Sequence, residues 1–296
     1  MDRIELLSHA KVNLTLEVCG RRADGFHDID SVAQVIDLAD ELSVSNAESG
    51  VIKVTIALGD APAGRGNLVY RACEAFFDAT GIRGGAKCIL RKRIPAQAGL
   101  GGGSGNAAAA VVALDRLYQT HASLEALSAI AASVSSDAAL FVCGGTVRMR
   151  GRGDQVSLLP DAPKLDLVIV KPGVGVSTQW AYSELDKRPH GKRGASDEAQ
   201  RAIGGGDRSA LVTCLSNDFD PVVSEAFAEV HQARVALVRA GAERAVLCGS
   251  GSAVFGVFGS SEDARRAADS LREAFESVFV ARTVTRRECA EVLIAQ

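Results

Sequence analysis

Apolar positions along the chain recur with two periods, and the switches between them outline the elements. Residues 12–18 (Val-Asn-Leu-Thr-Leu-Glu-Val) alternate apolar and polar and are rich in β-formers, which predicts a strand with one face in the core. Residues 41–44 and 51–58 also read as strands, with a polar turn at 46–50 between them. From 67 to 80 the spacing becomes helical, with Leu68, Ala72, Ala75 and Phe76 on one side, and the glycines of 81–85 end that helix. A strand is predicted at 87–93, helices at 107–118 and 124–134, and a short buried segment at 138–142. Residues 146–159 read as a hairpin turning at 151–153, and 165–171 as a strongly apolar strand stopped by Pro172-Gly173.

The second half continues with one helix at 221–240, a strand at 244–248, a glycine turn, a strand at 253–258, a helix at 261–276 and a closing strand at 278–282. Residues 188–206 are polar, charged and glycine-bearing, and are expected to form a surface loop or a poorly ordered stretch. The alternation predicts an α+β protein, helices layered on a largely antiparallel sheet. With 296 residues two domains are expected, 1–160 and 161–296, meeting near 159–164. No long internal repeat is present.

Composition narrows the function by exclusion. A net charge of −3 and a pI near 6.0 give no reason to expect nucleic acid or an anionic membrane as partner, although local basic clusters suit a phosphate substrate. Seven cysteines, an odd number with no C-x-x-C pair, predict buried free thiols in a reducing compartment. The start Met-Asp-Arg-Ile-Glu has no secretory pattern, and no apolar run reaches the roughly 18 residues of a membrane helix, so a cytoplasmic protein is expected.

The most informative segment is Pro95-Ala-Gln-Ala-Gly99-Leu100-Gly101-Gly102-Gly103-Ser104-Gly-Asn106. Five glycines in seven residues are entropically costly unless the backbone has a special task. The run leads into a helix, with Ser104 and Asn106 where N-caps usually sit. Helix N–H groups attract phosphate, and glycines let its oxygens approach the backbone, so anion binding is expected. No Lys-Ser or Lys-Thr follows, which excludes a Walker A loop, and the last position of G-x-G-x-x-G fails, which excludes a dinucleotide fingerprint.

That glycine run resembles the second, ATP-binding motif of the GHMP kinases. Ala10-Lys11-Val12-Asn13-Leu14 resembles their N-terminal motif, and Cys248-Gly249-Ser250-Gly251-Ser252-Ala253 their C-terminal glycine motif. Gly20-Arg-Arg-Ala-Asp24-Gly25-Phe26-His27-Asp28 closely resembles the signature of one branch, the kinases of 4-diphosphocytidyl-2-C-methyl-D-erythritol in the non-mevalonate isoprenoid pathway. Segments 66–72, 173–182 and 217–221 resemble the same branch, so the likeness spans most of the chain outside 188–206.

The resemblance implies a two-domain fold: an N-terminal ribosomal-protein-S5-like α/β domain, a C-terminal ferredoxin-like α+β domain, and an active site in the cleft between them. It implies ATP as phosphate donor, Mg²⁺ as its companion and a cytidine-diphosphate-linked polyol as acceptor, in a monomer or homodimer. Lys11 and Asp137 fall at the catalytic positions: Asp137 would take the hydroxyl proton, and Lys11 would orient that hydroxyl. Gly99, Leu100, Gly101, Gly102 and Gly103 would hold the triphosphate, with Pro95 opening the motif and Asn106 following it. Ser104 would contact phosphate or metal, and Asn67 and Lys92 would lie near the nucleotide. Phe26, His27 and Tyr182 would hold the cytosine by stacking and hydrogen bonding. Asn13 and Thr178 belong on the substrate side, and Gly249 and Ser250 would shape the cleft from the second domain.

Two other readings compete. One is a GHMP kinase of another alcohol, such as a sugar, homoserine or a mevalonate-like compound; the 24–27 segment argues against it. The other is a non-catalytic nucleotide-binding protein on the same fold, which would be marked by loss of Lys11 or Asp137; both are present.

Overall fold

The computed structural model describes residues 2–191 and 193–291. Its first half comprises β1 (Arg3–Arg21), β2 (His27–Asn46), β3 (Ile52–Leu58), α1 (Leu68–Thr80), β4 (Ala86–Arg91), α2 (Gly102–Tyr118), α3 (Leu124–Val134), α4 (Ala138–Cys143), β5 (Thr146–Gly151) and β6 (Gln155–Leu158). The second half follows with β7 (Asp166–Lys171), α5 (Thr178–Leu185), α6 (Ala195–Gly204), α7 (Arg208–Cys214), β8 (Ser216–Asn217), α8 (Phe219–Ala226) and α9 (Ala228–Arg239). It closes with β9 (Arg244–Leu247), β10 (Val254–Phe258), α10 (Ser261–Leu271), β11 (Ser277–Arg282) and α11 (Arg286–Glu291).

Local chemistry sets many boundaries. The Asn67 side chain accepts from the Val69 N–H at the start of α1, and Gly81, at φ 70°, closes it in the left-handed region. Ser123, Ser177 and Ser260 cap α3, α5 and α10 in the same way. The first sheet runs β3-β4-β2-β1-β8, with β5 on the other half of β2 and β6 beside β5. The turn at 46–50 therefore does not make a hairpin: β4 inserts between β2 and β3 and pairs in parallel with β3. The second sheet, β11-β7-β10-β9, is wholly antiparallel, and with α9 and α10 it completes a β-α-β-β-α-β unit.

Three expectations are corrected. The alternation at 12–18 is real, but its polar members are not solvated: Asn13, Thr15 and Glu17 are all buried, because further elements cover that face of β1. The stretch at 188–206 contains α6, which docks on β1 and β2. There Glu17 accepts from the Gly194 and Ser196 N–H groups at 2.8 and 3.0 Å. The Arg148 guanidinium donates to Asp30, Asp197 and Gln200, tying α6 to β2 and β5. The helix predicted at 221–240 is two, α8 and α9, broken at Phe227, whose ring lies edge-on to Trp180 at 4.9 Å.

The two sheets share apolar packing. Val12, Leu14, Val32 and Ile36 cluster with Leu165, Leu167, Ile169, Val246 and Phe255. The chain also crosses back, since β8 pairs in parallel with β1 and Thr283 bridges to Ile36. That packing fixes the cleft described next. All seven cysteines are free, but they are not all buried as expected: Cys73, Cys88 and Cys248 are, Cys143, Cys214 and Cys289 are partly so, and Cys19, near the end of β1, is exposed; Cys73 and Cys88 lie side by side in the core with sulfurs 3.8 Å apart.

Candidate active site

Two adjoining cavities of about 660 and 370 Å³ open along the seam between the sheets, and Gly99 and Gly101 line both. The loop carrying them is clamped from both sides. Leu100 C=O accepts from the Lys11 N–H at 3.0 Å, while Gln97 and Ala98 carbonyls accept from Ser252 and Ala253 N–H groups, each at 3.2 Å. Close packing explains the glycines: a Cβ on Gly99, at φ +75°, would stand 1.7 Å from the Cys248 carbonyl oxygen. One on Gly101, at φ +71°, would stand 2.9 Å from the Phe141 ring.

The smaller cavity gathers every residue expected near the nucleotide: Asn67, Lys92, Pro95, Gly99, Leu100, Gly101, Gly102, Gly103, Ser104 and Asn106. The helix begins earlier than its cap-like residues suggested. Gly101 is the N-cap and α2 starts at Gly102, so Ser104 and Asn106 lie inside the helix and cap nothing. Ser104 Oγ instead meets Ser135 Oγ at 2.7 Å. Asn106 is buried, donating to Ser8 Oγ and to Asp40 Oδ2 while accepting from Lys92 Nζ at 2.9 Å. The first residues of α2, Gly102, Gly103 and Ser104, line the glycine-rich cavity, and the first N–H groups of a helix have no partner within it. Asn67 also donates to Pro62 C=O at 3.0 Å, which pins one wall of that cavity.

Asp40 is a residue that sequence reasoning missed. It is fully buried on β2; Oδ1 accepts from the Arg93 and Ile94 N–H groups at 2.6 and 2.8 Å, and Oδ2 accepts from Lys92 and Asn106. It therefore ties the strand end before the glycine loop to the helix after it. With Asp37 and Glu41 close by in the sequence, nothing local set Asp40 apart as the buried carboxylate.

The larger cavity gathers the other group: Lys11, Asn13, Phe26, His27, Asp137, Thr178, Tyr182, Gly249 and Ser250. Lys11 is 4% exposed; Nζ donates to Asn13 Oδ1 at 2.7 Å and stands 3.6 Å from Asp137 Oδ2. Asp137 precedes α4 but makes no capping bond with its side chain, which stays partly open to the cleft. Thr178 and Ser250 hydroxyls meet at 2.9 Å, joining α5 to the C-terminal glycine turn.

The aromatic group is more ordered than a slot. His27 and Tyr182 stack directly, centroids 4.5 Å apart at 18°, so a base can lie on this pair but not between its members. Tyr182 also stands edge-on to Phe219 at 4.8 Å. His27 Nε2 bonds Asp186 Oδ1 at 2.8 Å, which fixes the ring. Burial, with the Asp137 charge nearby, pushes the Tyr182 phenol up to about 12, so it stays neutral. Phe26 is the free ring, 56% exposed, with the Arg152 guanidinium 5.0 Å over it. Arg21, Arg152 and Asp186 line the same cavity and were not singled out from sequence. Arg152 had one weak signal, its place in the hairpin turn.

Comparison with known proteins puts this geometry in context. The family model for the GHMP kinases N terminal domain matches residues 67–145, and that for GHMP kinases C terminal matches 199–277. The 4-diphosphocytidyl-2-C-methyl-D-erythritol kinase of Pelotomaculum thermopropionicum is 40% identical over 284 residues, covering 96% of this chain and 99% of its own. That of Moorella thermoacetica is 40% identical over 96% of this chain and 100% of its own. A crystal structure of 4-(cytidine 5'-diphospho)-2C-methyl-D-erythritol kinase superposes with a TM-score of 0.80 at 33% identity, covering 94% of this chain and 98% of that one. Homoserine kinase from Cytophaga hutchinsonii shares the fold at a TM-score of 0.78 and 20% identity, over 96% and 95% of the two chains.

Proposed function

The chain belongs to the 4-diphosphocytidyl-2-C-methyl-D-erythritol kinases of the GHMP family, and we propose that Lys11 and Asp137 carry its phosphoryl transfer across the glycine partition. The reaction is ATP-dependent phosphorylation of the 2-hydroxyl of 4-diphosphocytidyl-2-C-methyl-D-erythritol. The observation that carries the assignment of roles is the position of this pair. Lys11 and Asp137 stand 3.6 Å apart in the larger cavity, against the Gly99–Gly101 wall it shares with the smaller one.

ATP lies in the smaller cavity with its triphosphate along Gly99 to Gly103 and the start of α2, where N–H groups and the helix dipole favour negative charge. The polyol hydroxyl reaches the partition from the other side. Its oxygen attacks the γ-phosphorus in line, its proton passes to an Asp137 carboxylate oxygen, and the bond to the bridging oxygen breaks to release ADP. Lys11 holds the hydroxyl and offsets charge on the group in flight. Partial burial makes that charge count, because less water screens it.

Mg²⁺ fits the donor set as an ion carried by the nucleotide. Among the described residues no group of three or more His, Cys, Asp or Glu side chains could hold a metal, and Ser104 carries a hydroxyl in the cavity of the glycine loop. When bound, the ion would neutralise phosphate charge. The cytosine stacks on the His27–Tyr182 pair with Phe26 as the second ring, and Arg152 and Arg21 are the cations placed to meet a diphosphate. We take the enzyme to be cytoplasmic and a monomer or homodimer; among the described residues no helix is long and apolar enough to cross a membrane.

The test is incubation of purified protein with Mg-ATP and the cytidine-diphosphate-linked polyol, with ADP and the 2-phosphate product measured. Asp137→Ala runs alongside. Turnover that falls by about 10²–10⁴ in the variant is expected, the range for removing a positioned proton acceptor. Turnover within threefold of the wild type would refute the role given to Asp137.

A further inference from the structure

The side chain that orients Lys11 is itself held from behind. Lys11 Nζ can only donate, so the Asn13 atom at 2.7 Å must be the amide oxygen. The amide nitrogen then faces Ser31 Oγ at 2.8 Å. A serine hydroxyl has one proton, and here it goes to the Thr15 carbonyl at 2.6 Å, which cannot donate. Toward Asn13 the Ser31 oxygen can therefore only accept. A turned amide would set N–H groups against the ammonium at one end and its oxygen against the Ser31 lone pair at the other.

All these groups are buried: Ser31 at 0%, Asn13 at 3% and Lys11 at 4% exposure. Water cannot substitute for a missing partner without entering the core. The neighbouring hydroxyls do not compete for the Ser31 proton. Thr15 Oγ1 accepts from the Val32 N–H and pairs with Ser196 Oγ, whose own proton goes to the Asp30 carbonyl. On the β1–β2 ladder Ser31 stands opposite Leu16, the residue after Thr15, just past the register shift between Asn13 and Thr15.

We propose that Ser31 is a positioning residue for phosphoryl transfer: it locks the Asn13 amide with its oxygen on Lys11 and leaves the second N–H of that amide for the cleft Asn13 lines. The proposal rests on the roles given above to Lys11 and Asn13. Without the Ser31 acceptor, a buried N–H of Asn13 has no partner, the amide turns to seek one, and Lys11 loses the oxygen that holds it.

Steady-state kinetics of the full chain with Mg-ATP and the cytidine-linked polyol test this. Ser31→Ala should lower kcat about tenfold, the effect of one unmade buried hydrogen bond. The KM for ATP should stay within twofold, because the nucleotide cavity is untouched. In an Asn13→Ala background the same substitution should change nothing further, since the pair acts as one unit. Ser196→Ala, which removes a hydroxyl that never touches Asn13, should keep the wild-type kcat.

A Ser31→Ala kcat within twofold of wild type would overturn the proposal. So would a loss that persists in full in the Asn13→Ala background, which would mean that Ser31 acts through the fold. If Ser31→Ala does not fold, Ser31→Cys, of similar size and a weak acceptor, carries the same comparisons. Absence of turnover by the wild type would fall on the functional assignment instead, so the two failures are distinguishable.

Discussion

Replacing Asp40 by Asn should destabilise the chain and weaken its hold on ATP together. The asparagine oxygen can still accept from the Arg93 and Ile94 N–H groups, so the turn into the glycine loop keeps those two bonds. The other oxygen becomes an N–H₂ that faces Lys92 Nζ and Asn106 Nδ2, both donors. Lys92, with its side chain only 10% exposed, is left as a cation without its counter-charge. Removing one partner of a buried ion pair costs about 3–5 kcal/mol, and the bonds that survive place the loss near the lower end, about 3 kcal/mol. Equilibrium urea unfolding measures it, with ATP KM measured in parallel. Lys92 Nζ lies 3.3 Å from where a Gly102 Cβ would be, so its displacement disturbs the start of α2, and KM should rise several-fold. Asp40→Asn with Lys92→Met should recover part of the stability by removing the orphaned charge. A stability change within about 0.5 kcal/mol, the range of an ordinary surface substitution, would refute the reasoning.

Further outcomes follow from single contacts. Gly99→Ala must displace either its own loop or the Cys248 turn, because the new Cβ would lie 1.7 Å from a carbonyl oxygen; calorimetry should show ATP binding weakened at least tenfold, and unchanged affinity would contradict the packing. Phe26→Ala should raise the KM for the cytidine-linked substrate by roughly 5–100-fold, the worth of one stacking ring, with ATP KM unaltered; equal KM values for both substrates would remove Phe26 from the base site. For Glu17, burial pushes its carboxyl up, but the N–H groups of Arg193, Gly194 and Ser196 more than reverse this and hold it below its ordinary 4.5. A lowered folded value means stability that is present above the ordinary pKa and lost as pH falls through the folded one. Unfolding free energies between pH 7 and pH 3 should therefore fall less steeply for Glu17→Gln than for wild type, and parallel slopes would count against the anchor.

Much of the site was legible because its parts are contiguous in the chain. The glycine run, the Lys11–Asn13 segment, the 24–27 segment and the 248–253 turn each carry their chemistry within a few residues. All the residues they nominated line one of two adjoining cavities. Short-range sterics make this so: a glycine needed for close approach leaves its mark at its own position. The reading erred at two helix boundaries. Ser104 and Asn106 looked like caps, but Gly101 could take the left-handed cap position and the helix began there. The break at Phe227 falls where its ring lies edge-on to Trp180, in a stretch with no glycine or proline to mark it.

What the sequence by itself determined was the family, through motifs contained in short runs: the glycine run at a helix start, the Lys11–Asn13 segment and the 24–27 segment. Periodicity also predicted the main strands and helices, since burial of one face imposes a repeat of two or 3.6. Only the tertiary structure decided which polar groups on β1 and β2 are buried and what satisfies them. Asp40 meets Lys92 across 52 residues, Asn13 meets Ser31 across 18, and Glu17 meets Gly194 across 177. Hydrogen-bond partners at such separations leave no periodic signal, because an isolated serine or aspartate reads the same on a solvated face as in a buried one. The helix at 195–204 was hidden for that reason: its polar residues are there to bond Glu17, Thr15 and Arg148, which only the folded chain brings to it.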